Sequence, residues 1–169
     1  MKTYADDWVV VPSGAADIER VARRCRRLVT QRALLAAGVA VVPVPGIDWL
    51  TDIGVLVKLL PRINAEFGLS PEQIERLAPD RRIAVFKAVS VGGGLVVGRV
   101  VTREVVMALL RVVGVRLSAQ QAAKYVPVAG QAVSAVLTFS ALKMVCEQHI
   151  RQCMDVARRL ELPVPTELA

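Results

Sequence analysis

The stretch Tyr125–Leu142, YVPVAGQAVSAVLTFSAL, carries no charged side chain and leads directly into the charged segment KMVCEQHIRQCMDVARRLEL. Because burying an unpaired charge is costly, such a stretch is typical of chain that is surrounded by protein or by lipid. An earlier segment, VPVPG at Val42–Gly46, resembles VPVAG at Val126–Gly130. In both places a Pro and Gly turn precedes an apolar helical pattern. The sequence therefore predicts a compact all-α bundle built from two helical hairpins with short connecting helices.

The length and composition of the chain indicate the number of domains and the cellular compartment. The chain has 169 residues, 54% of them hydrophobic, and a net charge of +7. This length predicts one domain with a real core, and we place it at 15–162 between an extended N-terminal tail (1–14) and a C-terminal tail (163–169). Three cysteines and no secretory pattern at the N-terminus favour a reducing compartment. We expect a location in the cytoplasm or on the cytoplasmic side of the inner membrane.

Apolar residues recur at helical spacing along most of the chain. A first helix is predicted from Ala15, followed after the first hinge by a second helix with Asp48 as its N-cap. Gly68 is predicted to end that helix, and Ser70 and Gln73 form a capping box for a short third helix. The next helix is predicted to run from about Arg81 to Val113. The residues expected to face the core on the first helix are Ile18, Val21, Cys25, Leu28 and Leu35, and those on the last helix are Leu142, Cys146, Ile150, Cys153, Ala157 and Leu160.

Prolines and glycines mark the special backbone positions. The two hinges are predicted to be structural equivalents, each joining two closely packed antiparallel helices. A glycine cluster interrupts the helix after Arg81, and we interpret it as close helix packing with a bend. The hinge residues are Pro43, Pro45, Gly46, Asp48, Pro127 and Gly130, and the close-packing glycines are Gly94 and Gly98.

Positive charge is concentrated on the first half of the first helix. Four arginines there, Arg20, Arg23, Arg24 and Arg27, fall on the side opposite the apolar residues. A solvated face is one interpretation, and docking on an anionic membrane or on an acidic protein surface are the others. Nucleic acid is not expected, because the stretch lacks the aromatic residues of single-strand binders and any base-reading motif.

The residues that carry chemistry are few. The chain has one histidine, and its glycine-rich stretch Gly93–Gly98 lacks the Lys and Ser or Thr of a phosphate-binding loop. Cys146, His149 and Cys153 lie close to one helical face and, with Cys25, could be metal ligands, although a core seam is the favoured interpretation. Asp48 and Asp52 are interpreted as structural carboxylates. The sequence therefore predicts a protein that is not an enzyme and holds no cofactor or metal.

Two apolar stretches raise the alternative of membrane insertion. A helix needs about 20 apolar residues to cross a bilayer. Tyr125–Leu142 falls short and begins with a turn, and Ala33–Ile47 is shorter. Buried core helices are favoured, and a small integral membrane protein with two inserted hairpins is the alternative.

Several short motifs occur in an order that resembles a known family. They are the Pro43–Asp48 hinge, the AEFG helix end at Ala65–Gly68, the KYVPVAG hinge at Lys124–Gly130, and TFSAL at Thr138–Leu142. This order resembles the helical domain of unknown function associated with bacterial Era-type small GTPases and YcjF-like inner-membrane proteins. The resemblance implies an all-helical, membrane-proximal module that accompanies a GTPase, without catalytic residues. We therefore expect a non-catalytic interaction module at or near the cytoplasmic membrane surface, with a small GTPase or another protein as a partner in trans.

Overall fold

The fold is built from helices that pack around the helix nearest the C-terminus among those described. The computed structural model describes residues 11–12, 14–39, 47–92, 96–111 and 130–161. Every regular element in these ranges is a helix, as the sequence predicted. The helices are α1 (Ala15–Val39), α2 (Ile47–Glu66), α3 (Pro71–Glu75), α4 (Pro79–Gly92), α5 (103–111) and α6 (Gly130–Glu161).

The last helix, α6, is the centre of the packing, and α1, α2 and α4 all contact it. Five of its predicted inward residues, spaced three or four apart, are buried, and Leu160 packs partly buried against the same core. This spacing puts them on one face of a helix. The buried five are Leu142, Cys146, Ile150, Cys153 and Ala157.

Helix α1 begins at Ala15, as predicted, but its buried row differs in part from the prediction. Ile18 and Cys25 are buried, whereas Val21 and Leu28 are only partly buried. Leu35 was predicted to face the core and is 64% exposed. The buried row continues instead through smaller residues, and Leu35 lies outside this row, on the exposed side of the helix. This row consists of Ala22, Val29, Ala33 and Ala36.

The boundary between α2 and α3 was predicted correctly from local signals. The amide of Leu69 donates to the carbonyl of Asn64 and that of Gly68 to Ala65, with Gly68 at a φ of 69°. This is a Schellman ending, in which glycine takes the left-handed conformation. The Ser70 side chain then accepts a hydrogen bond from the Gln73 amide, and the Gln73 side chain accepts one from the Ser70 amide.

The long helix predicted from about Arg81 to Val113 is broken, and our interpretation of the glycine cluster as a bend is wrong. Helix α4 ends at Gly92, and residues 96–102 are not helical. The Thr102 side chain accepts a hydrogen bond from the Val105 amide and opens α5. Glycines lower helix stability by about 1 kcal/mol each relative to alanine, so a cluster of them favours a break.

Parts of the predicted architecture fall on residues that the structure does not describe. Pro43, Pro45, Gly46, Gly94 and Pro127 lie outside the described ranges, as do the side chains of Asp48 and Asp52. Gly130 is the first residue of α6. The equivalence of the two hinges therefore stays a prediction. Within the described ranges, no helix combines the length and the apolar character that crossing a membrane requires.

Two glycines of this fold differ in what surrounds them, which gives a matched test. A Cβ added to Gly98, whose φ is +69°, would lie 2.6 Å from the Cδ1 of buried Ile74, whereas one added to Gly54 on α2 would meet nothing within 4 Å. We expect Gly98→Ala to lower the free energy of unfolding by about 1–3 kcal/mol through strain and overpacking. Gly54→Ala should raise it by about 0.5–1 kcal/mol through helix propensity.

The measurement is urea denaturation of both variants and wild type, followed by circular dichroism at 222 nm as a probe of helix content. Equal stability of Gly98→Ala and wild type would contradict the close approach of the 96–102 segment to α3.

Candidate functional site

The arginines of α1 differ in their ion-pair partners and exposure, although they form one run in the sequence. Arg20 pairs with Asp17 at 3.0 Å on the same helix, and Arg24 pairs with Glu66 of α2 at 3.3 Å. Both arginine side chains remain about two-thirds exposed, at 67% and 69%. Ion pairs this exposed are worth little for stability. They leave both guanidinium groups available to solvent.

Arg23 and Arg27 are exposed, and neither has an ion-pair partner among the described residues. Together with Arg20 and Arg24 they surround a shallow depression whose other lining residues are Leu28 and Gln31. The structure thus places the four predicted arginines on one surface. We call Arg20, Arg23, Arg24 and Arg27 the arginine face.

The arginine face continues into an apolar patch about two turns further along α1. Leu34 and Leu35 are 59% and 64% exposed. Arg20, Arg24, Arg27, Gln31 and Leu34 follow one another at alternating spacings of four and three residues, and Leu35 lies four residues after Gln31. This spacing keeps all six on one side of the helix. The outward side of α1 is therefore basic in its first half and apolar near its end. The sequence analysis missed this patch, because it assigned Leu35 to the core.

Arg26 lies on a different side of α1 and was not singled out from the sequence. Its Nε donates to both carboxylate oxygens of Glu147 on α6, at 3.2 and 3.1 Å, and its Nη2 donates to Oε1 at 3.0 Å. Its Nη1 donates to Glu19 at 3.0 Å. Glu147 also accepts a longer bond of 3.4 Å from Arg151, four residues further along α6. Arg26 therefore fixes α1 against α6 and is not part of the arginine face.

This contact changes the acidity of Glu147. Partial burial raises the pKa of that carboxyl, but the hydrogen bonds and the charge of Arg26 outweigh burial and bring the pKa below its usual value of 4.5. The carboxylate form is thus favoured in the folded protein. A group whose pKa is lower when folded stabilises the fold above its unfolded pKa, and this contribution is lost as the pH falls through the folded pKa.

The candidate metal ligands of α6 lie in the core. His149 is 3% exposed, and its Nε2 lies 2.9 Å from the Oδ1 of Asn64 on α2. The Cys153 thiol lies 3.6 Å from the same oxygen, and the Asn64 amide donates to the carbonyl of Val96 at 3.1 Å. Among the described residues, no group of three or more His, Cys, Asp or Glu is arranged to hold a metal. Asn64, which the sequence analysis missed, is the residue that joins this cluster.

Burial decides the protonation of these groups. It lowers the pKa of His149 to about 4, and the Leu60 backbone and the Gln152 side chain oppose this shift only in part. Burial also raises the pKa of Cys25 to about 11, that of Cys146 to about 12, and that of Cys153 well above its usual value. The imidazole is therefore neutral at pH 7 and the thiols are protonated, which makes them weak nucleophiles.

Comparisons of this chain with protein-family models, with curated proteins and with solved structures find no match. The resemblance to the GTPase-associated domain accordingly stays a prediction from the quoted motifs.

The contact between Arg26 and Glu147 generates a pH-dependent prediction. We expect Arg26→Gln to lower the free energy of unfolding by about 1 kcal/mol at pH 7, a value kept small because the arginine side chain is 37% exposed. At pH 3, where more of Glu147 is protonated, the difference from wild type should shrink. The measurement is urea denaturation at both pH values.

Arg158→Gln serves as the control, because Arg158 pairs with exposed Asp155 at 3.6 Å and surface substitutions usually change stability by less than about 0.5 kcal/mol. An equal loss for Arg26→Gln at pH 7 and at pH 3 would show that the charge on Glu147 plays no part.

Proposed function

We propose that this protein is a non-catalytic helical module that docks on the anionic, cytoplasmic side of the inner membrane through the outward side of α1. The observation that carries the proposal is the continuity of the arginine face with exposed Leu34 and Leu35 on one side of one helix. Interfacial helices combine these two features, because basic side chains bind anionic headgroups while apolar ones enter the boundary with the acyl chains.

The same feature favours lipid over the other partners weighed for the arginines. An exposed leucine gains free energy when it leaves water for an apolar environment, and phosphate groups alone do not provide one. An acidic protein surface would match the arginines but would need an apolar patch of its own at the right distance. A bilayer provides both environments at any position along its surface.

A non-catalytic role is supported by where the reactive side chains lie. The one histidine and all three cysteines are buried. Their protonation states at pH 7 are those of poor acid, base and nucleophile candidates. The resemblance stated above adds a small GTPase in trans as the proposed protein partner, and this part rests on the sequence motifs alone.

The proposal is tested by vesicle co-sedimentation with mixed phosphatidylglycerol and phosphatidylcholine. We expect wild type to bind at low salt and to be released near 1 M salt, where the Debye length is about 3 Å. Arg23→Glu with Arg27→Glu should weaken binding by about thirtyfold or more, since each basic residue near an anionic surface contributes about 1 kcal/mol.

The matched control is Arg81→Glu with Lys87→Glu, which makes the same charge change at exposed positions of α4. Circular dichroism verifies that both variants fold. Equal weakening by the two double variants would contradict a specific arginine face. Binding that resists high salt and yields only to detergent would favour the alternative of inserted hairpins.

A further inference from the structure

A second surface groove lies between α1 and α2, beside the arginine face. Leu28 lines both the depression of the arginine face and this groove. The groove takes its remaining lining from Arg32 of α1 and from five residues of α2. The two features therefore adjoin each other at Leu28.

The rim of the groove is basic. Arg32, Lys58 and Arg62 are exposed, and none of them has an ion-pair partner among the described residues. This distinguishes them from neighbouring Arg24, which is paired with Glu66. The described lining contains no acidic side chain. Three uncompensated cations around one groove create a positive potential that favours an anion.

The floor of the groove is apolar. Leu28 and Val55 are partly buried, and Leu59 is 4% exposed. A small polar anion such as inorganic phosphate would satisfy the rim but leave this floor in contact with water. An aliphatic floor also offers no flat ring on which a nucleic acid base could stack. The combination fits an anion that carries a hydrocarbon chain.

Space for such a chain exists at Gly54 on α2. This residue also lines the groove, and a side chain there would meet nothing within 4 Å. Any larger residue at this position would extend into the groove from α2. Gly54 thus provides a position at which the groove can be filled without changing its charge.

We propose that the groove between α1 and α2 binds the headgroup and first acyl carbons of one anionic phospholipid. The phosphate lies among Arg32, Lys58 and Arg62, and the acyl carbons cover the apolar floor. This inference rests on the proposed membrane docking, because the bilayer that the arginine face contacts is the source of the lipid. The arginine face attracts the bilayer surface as a whole, and the groove adds a site that holds one lipid molecule.

The test uses the full chain and dihexanoyl phosphatidylglycerol below its micelle concentration, titrated by isothermal calorimetry. We expect saturable binding of one lipid per chain. Dihexanoyl phosphatidylcholine, which is neutral, and glycerol phosphate, which lacks acyl chains, should each bind at least tenfold more weakly. If glycerol phosphate binds as tightly as dihexanoyl phosphatidylglycerol, the apolar floor does not contribute to binding. If the neutral lipid binds as tightly, the basic rim does not contribute.

Two variants locate the site. Lys58→Gln with Arg62→Gln should weaken binding of the short-chain lipid at least tenfold, whereas Arg81→Gln with Lys87→Gln, the same charge change on α4, should leave it unchanged. Gly54→Leu, which keeps the charge and occupies the groove, should also weaken binding at least tenfold. Wild-type affinity in Gly54→Leu, with its fold verified by circular dichroism, would overturn the site.

The two proposals fail in different ways. Gly54→Leu should still co-sediment with anionic vesicles at low salt, because the arginine face is intact. The double variant Arg23→Glu with Arg27→Glu should bind anionic vesicles more weakly. It should still bind the short-chain lipid, because the groove residues are unchanged. If wild type binds vesicles but not the short-chain lipid, the proposed lipid site in the groove is wrong and the membrane-docking proposal is unaffected. Failure of wild type to bind vesicles would overturn the docking proposal even if the short-chain lipid binds.

Discussion

The structure depends on the buried face of α6. This helix packs against α1, α2 and α4, so the described bundle is organised around one apolar seam. Isolated helices are marginal in water, and packing of such a face provides most of their stability. Two polar contacts fix the register of the packing. Glu147 accepts hydrogen bonds from Arg26 of α1, and His149 donates to Asn64 of α2.

The packing of α1 against α6 determines which arginines of α1 are exposed to solvent. Helix α1 buries its small residues and pairs Arg26 with Glu147 of α6, and this orientation leaves Arg23, Arg27 and the two leucines exposed. The edge between these sides packs on α2, where Arg24 meets Glu66 and the basic groove begins. The proposed membrane face and the proposed lipid site are therefore both consequences of how α1 is held.

Sequence reasoning succeeded where the signal is local. The start of α1, the glycine ending of α2, the capping box at Ser70 and the inward row of α6 each depend on residues within one or two turns. It failed where partners are distant in the chain. Nothing near Asn64 indicates that it will meet His149, and the run of arginines does not show that Arg26 alone turns to Glu147. The break after Gly92 was missed because a glycine cluster is compatible both with a bend and with an interruption.

The packing of α2 on α6 is most directly tested by an NMR titration of the imidazole of His149. The chain has one histidine, so its ring signals need no further assignment. Burial between α6 and α2 lowers its pKa to about 4, and we expect the signals to stay unchanged from pH 8 down to about pH 5. A pKa near 6.5, the ordinary value, would show that His149 is in contact with water. That result would contradict the contact with Asn64 and the arrangement of helices built around it.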